Sequence, residues 1–200
     1  MLRVAVTKGR IEEEFIGLLN RAGFDSVSIR NKGRRLLVKS KDNIEFIFSK
    51  SNDTLRFIDL DIVDLAVVGK DAIIENDKEI YNELLDLKIG KCYFALAGFS
   101  YFKTANIIAS KYPNVARKFF AKKCKYPKIL KIEGSVELAP ILNIADAIVD
   151  IVQSGDTLKA NGLDVIEKIC DISAMLVGNS NSIGLKSLNN FTEKLRKHIC

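Results

Sequence analysis

The chain has 200 residues, 48% of them hydrophobic, with 31 Lys and Arg against 25 Asp and Glu for a formal charge of +6. That length can bury a sizeable core in one domain or two small lobes, and the apolar content excludes a disordered chain. No apolar run is long enough for a bilayer, and the N-terminus MLRVAVTKGR lacks the apolar core and cleavage site of a signal peptide, so the cytoplasm is the expected compartment. From the start, Leu2 to Val6 reads as a buried strand and Ile11 to Ala22 as a helix with Ile11, Phe15, Leu18, Leu19 and Ala22 on one face. Glu12 to Glu14 suit its first turn, and Gly23 stops it. A basic loop, Lys32 to Arg35, precedes a strand pair, Leu36 to Lys39 and Ile44 to Phe48, joined by the turn residues Lys41, Asp42 and Asn43. Helical spacing around Thr54 to Leu60 is weak. Leu65 to Val68 is a strand running into Gly69-Lys70-Asp71 and a helix over Ala72 to Glu75.

The same unit recurs at Ile107 to Ala109, where Ser110-Lys111-Tyr112-Pro113 precedes a helix carrying Val115, Ala116, Phe119 and Phe120, with the proline at a first-turn position. Ile129 to Ile132 is a strand, followed by a short helical piece containing Glu137. Then comes AIVDIVQSGDT, Ala147 to Thr157: a β-branched run carrying Asp150, a small-residue bend, and a helix ending near Asn161-Gly162. Strands Val165 to Ile169 and Ser173 to Val177 follow. The polar run Gly178 to Ser182 leads to a last amphipathic helix with Leu185, Leu188, Phe191, Leu195 and Ile199 on its apolar side.

Strands alternating with helices imply an α/β fold with mostly parallel sheets, in which ligands bind beyond the carboxyl ends of the strands. Those ends carry Lys8, Lys70, Lys111 and Ser154 to Thr157. Single lysines at turns are ordinarily just solvated, but their recurrence favours a polyanion cleft. A change of lobe near Asp86 to Lys91, with a return near Gly178 to Ser182, divides the chain into 1–88 plus 181–200 and 89–180, two small lobes facing one another. The bend at Ser154 to Thr157 can aim backbone N–H groups and hydroxyls at a phosphate, and Gly155 permits close approach. Asp150 just before it suits sugar hydroxyls or a metal ion. Together they point to a phosphoribosyl group, although S-x-x-T before a helix is also the pattern of an ordinary N-cap.

Basic residues are spread along the chain rather than gathered in one arm, which favours small polyanions over nucleic acid. The densest run, Lys122, Lys123, Lys125, Lys128 and Lys131, has only Tyr126 for base stacking and reads as a solvated face. Cys92, Cys124, Cys170 and Cys200 lack metal-ligand spacing, and His198 is the only histidine.

Four blocks in order, AVTKGR (Ala5 to Arg10), DLAVVGKDAIIE (Asp64 to Glu75), SKYPNVARKFF (Ser110 to Phe120) and EGSVELAPILNIADAIVDIVQSGDTLKAN (Glu133 to Asn161), resemble the signature regions of the ATP phosphoribosyltransferases of histidine biosynthesis. The end at Cys200 resembles the short form, which lacks a C-terminal regulatory domain. The resemblance implies two lobes like those of type II periplasmic binding proteins, with the active site in the cleft between them. It implies joining N1 of ATP to C1 of phosphoribosyl pyrophosphate with magnesium present. It also implies a partner related to histidyl-tRNA synthetase in a hetero-oligomer, with self-association besides. Carried over, Gln153, Ser154, Gly155, Asp156 and Thr157 cradle the 5′-phosphate. Asp150, with Glu137 or Asp146, handles ribose hydroxyls or magnesium, which substrate phosphates also hold. Lys8, Arg10, Gly69 and Lys70 meet phosphates and pyrophosphate, and Lys8, Arg34, Arg35 and Lys50 stabilise the leaving group's charge.

One departure concerns Phe48 to Leu55 (FSKSNDTL), where the family commonly reads V-R-x-x-D-x-P: Lys50 replaces an arginine and Leu55 a proline. Lysine keeps the charge but loses the planar fork, so Lys50 either contributes less or is helped by Arg34 and Arg35, or is simply a surface lysine. Two other readings compete. A non-catalytic two-lobe domain could bind or sense an anion. A phosphoribosyltransferase with another acceptor is the third, yet single-lobe members place two adjacent acids before the phosphate loop, and Asp150 has no acidic neighbour.

Overall fold

The computed structural model describes residues 1–76, 81–101, 103–179, 181, 184 and 186–199. They form two compact units, Met1–Ile73 with Lys78–Gly90 and Ser173–Cys200, and Ile74–Asp77 with Lys91–Ile172. No helix among the described residues is long and apolar enough to cross a membrane.

The first unit is built on a six-stranded sheet in the order β2-β3-β1-β4-β11-β5. Its strands are β1 (Leu2–Thr7), β2 (Leu37–Lys39), β3 (Ile44–Ser49), β4 (Leu65–Gly69), β5 (Asn82–Asp86) and β11 (Ala174–Gly178). Side chains alternate across a strand, so β1 and β4 send residues into two cores. Val4, Val6, Leu65 and Val67 face the core shared with α1 (Arg10–Arg21) and α8 (Lys186–Arg196), where Phe15, Leu19, Leu188 and Phe191 pack. Ala5, Ala66 and Val68 face Leu55 and Ile58 of α3 (Ser51–Asp59) and Ala72 and Ile73 of α4 (Lys70–Asn76). Burial on both faces is why these strands read as continuous apolar runs.

The second unit holds a five-stranded sheet in the order β10-β6-β9-β7-β8. Here β6 is Cys92–Gly98, β7 Ile107–Ser110, β8 Lys128–Lys131, β9 Ala147–Val152 and β10 Asp164–Ile172. Ala147 and Val149 pack with Val115, Ala116, Phe119 and Phe120 of α5 (Pro113–Ala121). Ile148 and Val152 pack on the opposite face with Ala139 of α6 (Leu138–Ile141) and Leu158 of α7 (Asp156–Ala160).

The α/β reading stands, with sheets that are mixed rather than mostly parallel. β1 runs parallel to β3 and β4, and β7 parallel to β8 and β9, while β2, β5, β6, β10 and β11 enter antiparallel. The return from the second unit comes at Ser173 and not near 181, because β11 pairs with β4 and β5. Two strands escaped the periodicity. β6 (CYFALAG) is a central strand rich in Ala and Gly, residues depleted in strands, and buried too evenly to alternate. β5 is short and half-buried. Leu185 of the expected last helix, like Cys200, lies outside the described residues.

α2 (Ser26–Arg30) was also not expected, since five residues carry little pattern; a cap holds it. Asp25 accepts from Ser28 N (3.1 Å) and Ser28 Oγ (2.6 Å), and from Lys41 N in the hairpin turn (3.0 Å). The Ser28 hydroxyl, then the backbone donors, lower its pKa from 3.8 to about 2. A depressed carboxyl contributes stability above its unfolded pKa and loses it as pH falls through the folded one. Asp25→Ala is therefore expected to cost about 1 kcal/mol at neutral pH. In chemical melts the gap to wild type should close as pH falls from 3.8 to about 2; a gap independent of pH would show that the carboxylate is not the stabilising group.

Candidate active site

Parallel pairing decides which residues gather at the carboxyl ends of the strands. In the second unit, β9 continues through Gln153 and Ser154 into a bend at Gly155, whose φ of 84° and ψ of 2° are left-handed. A residue with a Cβ adopts that geometry only with strain. Gly155 occupies the N-cap position of α7, and no side chain caps the helix. Among the described residues, no backbone carbonyl accepts the N–H of Gly155 or Thr157. The ordinary N-cap pattern is therefore not the one built: among the described residues these two amides are left without a carbonyl partner. Ser154 Oγ, expected as a further donor, is turned onto Asp156 Oδ2 at 2.7 Å, so this pair braces the bend and the Asp156 carboxylate is drawn aside. Gln153, Ser154, Asp156 and Thr157 are exposed.

Asp150 stands on β9 with Ile148 and Val152, on the face covered by α6 and α7, and opposite Ala95 of β6. Ala95, Ala97 and Ala109 line that face with small side chains. Glu137 follows β8 and precedes α6, half-buried, and does not cap that helix. Nearby, Lys131 bonds Glu133 at 2.7 Å, and that hydrogen bond holds the Glu133 carboxyl below its ordinary range.

Asp146 leaves the set. It precedes β9, so the six-residue strand, about 20 Å long at roughly 3.3 Å per residue, separates it from the bend. Its Oδ2 accepts from the backbone N–H groups of Asn106 (2.8 Å) and Ile107 (2.9 Å), which fixes the start of β7.

In the first unit the register Thr7 to Ser49 and Val6 to Val67 aligns the carboxyl ends of β1, β3 and β4. Phe48 N–H donates to the Leu36 carbonyl (2.8 Å), bringing the chain just after Arg34 and Arg35 to that edge. Lys8, Lys50, Arg34, Arg35 and Lys70 thus share one rim. They are not equally available. Lys8 and Lys50 are exposed, with Lys8 N–H fixed on the Ser49 carbonyl at 2.9 Å. Arg34 is exposed, whereas the Arg35 guanidinium donates to the carbonyls of Lys32 (2.9 Å) and Asn31 (2.8 Å) and so closes the end of α2. Lys70 pairs with Glu83 at 3.1 Å.

Arg10 is likewise engaged. It donates to the Gly90 carbonyl at 3.1 Å, while Glu14, 3.9 Å from its guanidinium, accepts the Gly90 N–H at 2.8 Å. Arg10 and Glu14 therefore clasp one peptide where the chain leaves the unit, a structural use alongside the expected phosphate contact. At Gly69 an added Cβ would lie 2.0 Å from Asp71 Oδ1, so a larger residue there would push the Asp71 carboxylate aside. Close by, Asp86 accepts from Ser173 Oγ and Lys88 Nζ, both at 2.5 Å; burial opposes its charge, but these bonds outweigh burial and lower its pKa.

A family model described as HisG, ATP phosphoribosyltransferase, matches residues 50–199. A Lactococcus lactis subsp. cremoris protein named ATP phosphoribosyltransferase is 50% identical over 191 residues, 93% of this chain and 92% of that one. Among solved structures, the ATP phosphoribosyl transferase (HisG:HisZ) complex from Thermotoga maritima matches at a TM-score of 0.82 and 30% identity, covering 100% of this chain and 98% of that one. The periplasmic aliphatic sulphonate binding protein SsuA from Escherichia coli matches at a TM-score of 0.61 and 10% identity, a likeness of fold alone.

Proposed function

The chain belongs to the ATP phosphoribosyltransferase family, and on that premise we propose how its residues carry the transfer. The enzyme joins N1 of ATP to C1 of phosphoribosyl pyrophosphate, releasing pyrophosphate, as the first step of histidine biosynthesis. A non-catalytic anion sensor is not favoured, since the relatives that match nearly full length are named for the enzyme.

The adenine nitrogen is already a nucleophile and pyrophosphate a good leaving group, so alignment and charge stabilisation carry the rate. The Gly155 bend, with amides no carbonyl has taken, is the observation that supports the donor's position: it holds the 5′-phosphate. Asp150 accepts from the ribose hydroxyls, with Glu137 beside the same strand ends. Lys8, Lys50 and Arg34 meet the negative charge that grows on pyrophosphate.

Among the described residues no group of three or more His, Cys, Asp or Glu could hold a metal. Magnesium commonly binds through one or two carboxylates plus substrate phosphates, so Asp150 together with the donor's own oxygens fits it. When bound it neutralises pyrophosphate charge. The substrates are cytoplasmic metabolites, which supports a cytoplasmic site of action.

The Thermotoga neighbour comes from a HisG:HisZ complex, which supports a regulatory subunit related to histidyl-tRNA synthetase for this chain as well, in a hetero-oligomer. The test is an assay of phosphoribosyl-ATP from ATP and phosphoribosyl pyrophosphate, with and without that subunit. Product should form, the subunit should raise turnover, and histidine should inhibit only the mixture. No product in either arm would refute the activity, and full histidine sensitivity of the chain alone would refute the partner's role.

A further inference from the structure

Ser110, the last residue of β7, is completely buried, and its hydroxyl is used twice. Oγ donates to the Val149 carbonyl at 2.6 Å and accepts the Tyr112 N–H at 2.8 Å. The Val149 carbonyl belongs to the peptide that leads into Asp150, so the hydroxyl holds the backbone unit from which that carboxylate projects. β7 pairs with β9 only as far as Val149, while β9 runs on to Val152. The hydroxyl therefore continues the ladder where the backbone of β7 has turned away.

The far side of that turn is held as well. Both carboxylate oxygens of Glu75 accept the Asn114 N–H (3.2 and 3.0 Å), one accepts the Val115 N–H (3.1 Å), and Asn114 Nδ2 donates to the Glu75 carbonyl (2.8 Å). Glu75 thus caps α5 from another segment, immobilising the Tyr112 turn between two fixed points. None of these groups is needed for the α5 helix bonds themselves, and none is among the residues assigned to substrate.

We propose that Ser110 is a positioning residue for Asp150, with Glu75 steadying the turn that presents it. The proposal rests on the reading of Asp150 as the acid that binds the sugar. In Ser110→Ala the buried Val149 carbonyl and the Tyr112 N–H lose this partner, and the Asp150 peptide is then held from the β6 side alone.

Calorimetric titration of the chain with phosphoribosyl pyrophosphate and magnesium tests it. Ser110→Ala should bind about tenfold more weakly, with KM for ATP unchanged, and Ser110→Thr, which keeps the hydroxyl, should recover most of the loss. Because Ser110 acts through Asp150, the Ser110→Ala/Asp150→Ala double variant should bind no more weakly than Asp150→Ala alone. Wild-type affinity in Ser110→Ala, or losses that multiply in the double variant, would overturn the proposal. Wild-type affinity in Asp150→Ala would instead remove the sugar-binding role itself, and the proposal with it. If Ser110→Ala does not fold, Glu75→Ala replaces it: about a threefold loss is expected from a loosened cap, again absorbed by Asp150→Ala, and a multiplying loss would count against the proposal in the same way.

Discussion

Gly155→Val is expected to lower kcat/KM for phosphoribosyl pyrophosphate by at least about 10²-fold, with most of the loss in KM. The cause is conformational. At φ 84° a β-branched residue is strained, whereas the nearest atom to an added Cβ, Val152 Cγ1 at 3.8 Å, is an ordinary contact. The protein can therefore fold and relieve the strain locally by rotating the bend, which turns the amides of Gly155 and Thr157 away from the phosphate. A second effect adds to the first, because the valine side chain would stand where the proposed phosphate approaches. Folding stability should fall by only about 1–2 kcal/mol, as read from thermal melts, and Gly155→Ala should lie between the two proteins in kinetics. A Gly155→Val enzyme with normal affinity for the sugar donor would place the 5′-phosphate elsewhere.

Lys8→Ala is expected to lower kcat by about 10²-fold with little change in KM for ATP. Lys8 follows β1, its N–H is tied to the Ser49 carbonyl, and its side chain is exposed, so removing the ammonium leaves the ladder intact. Stability should stay within about 0.5 kcal/mol of wild type. Of the cations on that rim, Arg35 and Lys70 already have partners within the unit, so the proposed mechanism assigns the leaving-group charge to Lys8, Lys50 and Arg34. Lys8→Arg should restore part of the rate, since it restores charge but not the compact ammonium. Single-turnover rates measured with saturating substrates separate this effect from binding. An unchanged rate in Lys8→Ala would assign the charge to other residues.

The site's own strand was legible in the sequence because its signals are local. Ala147 to Val152 is β-branched and apolar, Gly155 marks the left-handed bend, and a helix follows, as found. The helices with strong periodicity, α1 and α8, were legible for the same reason, and so was the hairpin turn at Asn43, whose φ is 59°. β6 was not, since an even, alanine-rich run has neither alternation nor a strand-forming composition. α2 depends on one capping carboxylate, a signal shared with many turns.

By itself the sequence determined the α/β character, the glycine bend after β9 with its acid, and membership of the family, because each is written in neighbouring residues or in blocks read in order. Only the tertiary structure decided which charged groups are available. Arg10 is claimed by Gly90, 80 residues away, and Asp146 by Asn106 and Ile107, 40 and 39 residues away. Ser110, silent as a letter in the chain, acquires its role from a carbonyl 39 residues on. A side chain's chemistry is set by its type, but its freedom is set by whichever polar group the fold brings within 3 Å, and burial makes leaving that group unpaired costly.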